Sequence, residues 1–299
     1  MKKTILALAI SLLAILSPVP SYSQIFVTYN GRVGEYNFDG SVINNTLLTG
    51  LNFPQQLSIS DGRIYIADWN SGSVGVFNTD GTTVNSSLIS GLGNIDSVFV
   101  TGSSVYVGSS SSGTIGQYTI SGSTVNSSLI SGLNSPSAIQ VYGSHIFVAS
   151  RGNPYGISEY NLDGSVVNSN FITDYNRPES FAISGTNFYV ANWYGSISQY
   201  NLDGTVANES LISGLSNPRG IAASGTNLYV LDFSTGTNYG LGHLVQYSTE
   251  GTLINSNLVS GLSVSGGLAI QSVPEPSTYA LYGLGALALL IVARRKKKA

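Results

Sequence analysis

The chain has no cysteine, and from residue 24 to residue 272 it has no lysine. The first absence excludes thiol catalysis, disulfide stapling and Cys-ligated zinc. The second leaves five arginines (32, 63, 151, 177 and 219) as the only fixed cations of that stretch, against 14 carboxylates. Its net charge is therefore about −9, whereas the whole chain carries −3 because seven Lys and Arg lie at its two ends. An acidic body without lysine repels nucleic acid and anionic lipid, so nucleic-acid binding is excluded. There are only two histidines, one methionine and two tryptophans, and charged residues make up 9% of the chain. So little charge among so much Gly, Ser, Thr and Asn could read as disorder. The 18 tyrosines and recurrent Val/Ile segments argue for a packed body instead.

Both ends look like targeting segments. Lys2 and Lys3 precede an apolar stretch from Ile5 to Leu16, followed by small residues at Ser21 and Ser23. This is the pattern of a secretory signal peptide, residues 1–23, cut after Ser23 by signal peptidase; a retained anchor is the alternative. At the other end, residues 276–293 are 18 positions without a charged side chain, and Arg294-Arg295-Lys296-Lys297-Lys298 follow at once. That length suits a transmembrane helix, and the basic cluster keeps its end cytoplasmic, so the body lies outside.

Between these ends the sequence repeats. Asp39-Gly40, Asp80-Gly81, Ser121-Gly122, Asp163-Gly164, Asp203-Gly204 and Glu250-Gly251 recur at spacings of 41, 41, 42, 40 and 47. A second marker, Gly50-Leu51, Gly91-Leu92, Gly132-Leu133, Gly214-Leu215 and Gly261-Leu262, keeps step with it. A period near 40 made of β-type segments indicates propeller blades. One repeat reads as four strands: Leu57-Ser58-Ile59, Ile64 to Ala67, Val74 to Phe77 and Val84 to Ile89, with Asp61-Gly62 and Asp80-Gly81 as hairpin turns. The last repeat stops after its first strand, Leu268-Ala269-Ile270, and the missing strands match Ile25-Phe26-Val27 and Val33 to Tyr36 at the opposite end of the body. The predicted fold is all-β: a six-bladed propeller over residues 24–272, its last blade closed by one C-terminal and three N-terminal strands. Closure removes free sheet edges.

The repeat resembles the NHL family, whose general form is Pro-x-x-Ile-x-x-x-Gly-x-x-Tyr-Val-Ala-Asp; the best copy runs from Pro218 to Asp232, and the resemblance spans Ile25 to Ile270. It implies the fold strongly and a function weakly. The tail Val273-Pro274-Glu275-Pro276, the apolar span and the basic end together resemble the PEP-CTERM sorting tail, residues 273–299. That resemblance implies recognition of Pro274, Glu275 and Pro276 by an exosortase, removal of the span, and transfer to the cell surface or extracellular matrix. A plain membrane anchor is the alternative.

Candidate sites sort by face. The first strand of each blade lines the channel, and the loops into strand one and out of strand two share the top face. Six-bladed lactonases of the gluconolactonase kind hold a metal there. Asp68, Asp96, Glu179, Asn192 and Asp232 are the oxygen ligands that could converge on Ca²⁺, although Arg219 in the same ring opposes it, and loop capping is the other role open to such Asp residues. No cofactor is expected. Trp69, Trp193 and Phe233 share one repeat slot, Tyr194 follows, and Tyr239 lies in an insertion between Asp232 and His243. These aromatics can stack on sugar rings or cap the core. His145 falls at the bottom and His243 at the top, so they cannot form one site. Asn-x-Ser/Thr occurs at Asn44, Asn85, Asn126 and Asn208, always in the outer strand, where the repeat itself can place Asn. The expected function is that of a non-enzymatic binding or structural protein whose top face contacts a polysaccharide or surface protein; a metal-dependent lactonase-like hydrolase using the channel-mouth acids is the alternative.

Overall fold

The computed structural model describes residues 23–173, 176–233, 241–263 and 266–271. The predicted signal peptide and C-terminal span, with Pro274, Glu275 and Pro276, lie outside the described residues, as does Tyr239. Gln24–Gln271 forms one compact unit. Its strands make six four-stranded sheets, the blades of a propeller. Blades I to V run over residues 54–89, 95–130, 136–173, 178–213 and 218–262. The closing blade joins Leu268–Gln271 to Gln24–Tyr29, Arg32–Asn37 and Val42–Leu48, in that order.

Burial falls outward along each sheet. In the second strand of blade I, Arg63–Asp68, every residue after Arg63 is buried, because neighbouring blades cover both faces. This accounts for the unbroken apolar run Ile64-Tyr65-Ile66-Ala67. The outer strand, Thr83–Ile89, is exposed over its first five positions and buried only at its end. The apolar clusters sit between blades. One unites Phe26, Val33 and Leu48 of the closing blade with Ile64, Ile66 and Phe77 of blade I.

The turn glycines dock the blades. Gly81 has φ +87°, open to glycine at no steric cost, and a Cβ there would stand 2.7 Å from the carbonyl oxygen of Leu47 in the preceding blade. Beside it Asp80 Oδ1 accepts the hydroxyl and N–H of Thr82 at 2.6 and 2.9 Å, and Asp39, Asp163 and Asp203 repeat the arrangement. These bonds, hydroxyl first and N–H second, hold the four carboxylates below the ordinary aspartate value. A depressed folded-state pKa contributes stability above the unfolded value of about 3.9 and loses it as pH falls through the folded value. Thermal melts should therefore show Tm dropping between about pH 4 and pH 2, and the drop should be shallower in Asp80→Asn.

Every outer strand carries one further device. Asn44, Asn85, Asn126, Asn168, Asn208 and Asn255 each accept, through Oδ1, the N–H two residues on, at 3.0 to 3.1 Å. Each also sits at a register shift against the third strand. The side chain satisfies a main-chain donor at the rim of the sheet and bends the edge, both of which discourage pairing with another chain. This is the reason for the recurrent Asn, and four of the six happen to read Asn-x-Ser/Thr.

Candidate functional site

The rim of the top face is built from pairs. The residue leaving strand two donates its N–H to the carbonyl of a residue just before strand one: Trp69 to Phe53, Arg151 to Ser135, Trp193 to Arg177, and Phe233 to Asn217, at 3.0 to 3.1 Å. In three blades the side chains of the pair also meet. The Phe53 and Trp69 rings lie 5.9 Å apart, Arg151 Nε donates to Ser135 Oγ at 3.1 Å, and the Arg177 guanidinium lies 4.2 Å from the Trp193 ring centre. Phe53, Ser135 and Arg177 each precede a proline and have φ of +74°, +58° and +60°. A left-handed residue ahead of proline is costly, so the surrounding loop must hold it.

Each residue that could converge on a cation makes at least one bond to the protein. Asp68 Oδ2 accepts the N–H of Asn52 at 2.6 Å, and Asp232 accepts those of Ser216 and Asn217 at 2.7 to 3.0 Å. Both brace the loop into strand one. Asn192 is fully buried and donates to Ser196 and Ser198. Asp96 and Glu179 bond a guanidinium instead of waiting for a metal. Among the described residues no group of three His, Cys, Asp or Glu is placed to hold a metal ion. Among the described residues, Asp68 Oδ1, Asp96 Oδ2, Glu179 Oε1 and Asn192 Oδ1 are each buried without a hydrogen-bond partner, whereas both Asp232 oxygens are taken by loop N–H groups.

What does converge is a cavity of about 300 Å³. All six residues entering the inner strands line it: Gln55, Asp96, Ser137, Glu179, Arg219 and Gly266. Trp69, Trp193, Phe53, Gln56, Arg151 and Arg177 complete it. Below lies a second space of about 240 Å³, walled by Leu57, Val98, Ile139, Phe181, Ile221 and Ala269. Gln56 and Gly266 line both, so they form one channel with a charged mouth and an uncharged throat, where Ser58, Gln140 and Ser180 stand among the aliphatic side chains.

The charges of the mouth are ordered. Arg151, from blade III, bonds Asp96 of blade II and reaches Glu179 of blade IV at 3.4 Å. Arg177 Nε stands 3.4 Å from the other Glu179 oxygen, near enough for an ion pair but without hydrogen-bond geometry. Burial works against the Arg151 cation, yet Asp96 and then Glu179 hold its pKa above the ordinary arginine value. Burial raises Glu179, and the three arginines only partly offset it. Arg219 is the exception: burial first lowers its pKa, Glu179 opposes this only in part, and repulsion from Arg151 and Arg177 adds to the lowering. Its guanidinium lies 4.8 Å from the Trp193 ring centre and 5.6 Å from that of Phe233, and Nε donates to Asn217.

The aromatic slot is thus divided. Trp69 is half-buried at the mouth, Trp193 is covered by two guanidiniums, Phe233 is only 6% exposed, and Tyr194 is 66% exposed but does not line the cavity. Arg151 and Arg177 were missed as mouth residues by sequence reasoning. The signal was present: Arg151 occupies the slot of Trp69 and Trp193, and Arg177 that of Phe53. His145 pairs with Glu159 at 2.6 Å beside a bottom hairpin, whereas His243 lies in register with the top-face Asp232.

Residues 272–297 match the PEP-CTERM protein-sorting motif. The chain carries a PEP-CTERM sorting motif. Such a motif indicates export and sorting to the cell surface, with processing by an exosortase. No curated protein sequence matches the chain. Among solved structures, a chain of a nidogen/laminin complex superposes with a TM-score of 0.68 at 13% identity, over 85% of this chain and 99% of that one. A gluconolactonase from Xanthomonas campestris gives 0.61 at 14% identity, over 76% and 86%. Kuenenia stuttgartiensis hydrazine synthase gives 0.55 at 18%, over 67% and 64%. At these identities the likeness shows the propeller fold of the PEP-CTERM protein's body and nothing of its chemistry.

Proposed function

We propose that this PEP-CTERM protein is a non-catalytic binding protein of the cell surface or extracellular matrix, and that its top-face mouth holds a polysaccharide. The observation that carries the reading is the mouth itself, where Trp69 and Phe53 stand with three arginines and two glutamines around a ring-sized concavity. Aromatic faces with fixed polar groups suit a sugar ring. A protein partner on the same face is the other occupant the geometry admits. The fold of the gluconolactonase raises a lactonase-like hydrolase as the alternative, but the acids it would need are bonded to loop N–H groups and guanidiniums.

The last strand runs from the mouth to the bottom. Gly266 lines the mouth, whereas Ile270 lines only the throat, so Gln271 lies at the bottom of its strand. The sorting tail starts one residue later. In the proposed processing an exosortase removes the span behind Pro274-Glu275-Pro276.

A panel of bacterial surface polysaccharides, immobilised and probed with the exported protein, tests the reading. At least one polysaccharide should bind, and Trp69→Ala should weaken it about fivefold, the equivalent of ~1 kcal/mol of lost stacking. Silence across the panel, or binding indifferent to Trp69→Ala, would sink the proposal.

A further inference from the structure

The mouth holds one cation too many. Three of the five arginines of an otherwise acidic body gather there. Asp96 and Glu179 answer Arg151 and Arg177. Among the described residues no carboxylate pairs with Arg219, whose Nε is spent on the neutral amide of Asn217. Two oriented guanidiniums, Arg177 and Arg219, both lie within 5 Å of the Trp193 ring centre, at 4.2 and 4.8 Å. The ring packs against both guanidiniums. Arg177 is held there by a left-handed backbone, and its buried Nε has no hydrogen-bond acceptor. Glu179 is thus shared among three guanidiniums, and a half-buried cation in such excess is costly unless a ligand of opposite sign completes it.

We propose that Arg219 and Arg177, braced by Trp193, bind the carboxylate of an acidic sugar residue whose ring extends toward Trp69 and Phe53. The inference rests on the polysaccharide reading above and narrows it to uronate-type chains. A planar carboxylate matches the guanidinium fork in two parallel hydrogen bonds, and such charge-assisted bonds are the strong ones. The cavity of about 300 Å³ stands at the low end of small-molecule pockets, which suits a single ring better than a bundle of chains. Blade I, which carries Trp69, stands two blades along the ring from blade V, which carries Arg219, with only the closing blade between them. Gln55 and Gln56 lie on that path and offer amides to ring hydroxyls.

Both tryptophans of the chain line this mouth, so their fluorescence reports its occupancy without a label. The experiment titrates the full chain in detergent micelles with glucuronate, glucose, acetate and inorganic phosphate, and repeats the series with Arg219→Gln and Arg177→Gln. Glucuronate is expected to saturate at least about tenfold more tightly than glucose or acetate, and each substitution should weaken it by at least about tenfold. The wild-type comparison stands even where a substituted chain fails to fold. Equal response to glucose and glucuronate overturns the carboxylate site while leaving polysaccharide binding intact. Equal response to acetate and glucuronate upholds the carboxylate site and removes the sugar. Tighter binding of phosphate, or no response to any of the four, overturns the proposal.

Discussion

Arg151→Ala should cost about 3–5 kcal/mol and lower Tm by roughly 10 °C, the largest effect expected of any side chain in the mouth. Arg151 is bonded to Asp96 and Glu179, whose side chains are only 4% and 6% exposed, and it ties three consecutive blades together. Its removal leaves two buried carboxylates without their shared cation. The loss should also depend on pH in a defined direction. Burial already raises the Glu179 pKa, and Arg151 is the first of the groups opposing that rise. Without it the pKa climbs further. A raised folded-state pKa favours folding at low pH and loses that contribution as pH rises through it. The gap between wild type and Arg151→Ala should therefore be widest near neutral pH and shrink as Glu179 takes up a proton. Chemical denaturation of both proteins at pH 7.5 and pH 5 measures it, and a gap independent of pH would remove Glu179 from the account.

Gly267→Ala should strongly destabilise the ring through one methyl group. Gly267 exchanges two hydrogen bonds with Thr28, accepting its N–H at 3.0 Å and donating to its Oγ1 at 2.9 Å. A Cβ would lie 2.2 Å from the carbonyl oxygen of Gln55 and 2.7 Å from Thr28 Oγ1. No flexible side-chain end can give way to a backbone oxygen, so the strand must shift, at a cost of about 2–4 kcal/mol. Because this strand closes the ring, Tm should fall by about 5–12 °C and limited proteolysis should cut first near residues 24–29 or 266–271. A melt within 2 °C of wild type, on the order of the shift from 0.5–1 kcal/mol, would show that the closure yields without strain.

The blades were legible in the sequence because their markers are local and have one physical cause. The Asp-Gly turn needs a glycine for its φ, and the same glycine is where each blade meets the Leu or Phe carbonyl of the one before. The unfinished repeat at each end foretold closure for the same reason, since Ile270 and Ile25 are partners in one ladder. The mouth was legible only as slots. Sequence alignment of the repeats placed Gln55, Asp96, Ser137, Glu179, Arg219 and Gly266 at one level, where they do line the cavity. It could not say which acids would face cations. Asp68 and Asp232 share a slot and a loop-bracing role, whereas Asp96 and Glu179 meet Arg151 only because the ring brings residues 96, 151 and 179 together. The aromatic slot hid a similar difference, since the guanidiniums that cover Trp193 come from blades IV and V.

The four-residue strand Leu268–Gln271 has a mechanical consequence. It pairs along one side with Gln24–Val27 and is the last part of the body before the sorting tail. Any pull on the tail enters the body through those pairs. A pull along the strand loads all four pairs in shear, so they resist together; a sideways pull peels them one at a time. The clasp of the ring is thus also the point where such a load would enter. A pull that parts these four pairs opens the ring while the covalent chain stays joined to its tail.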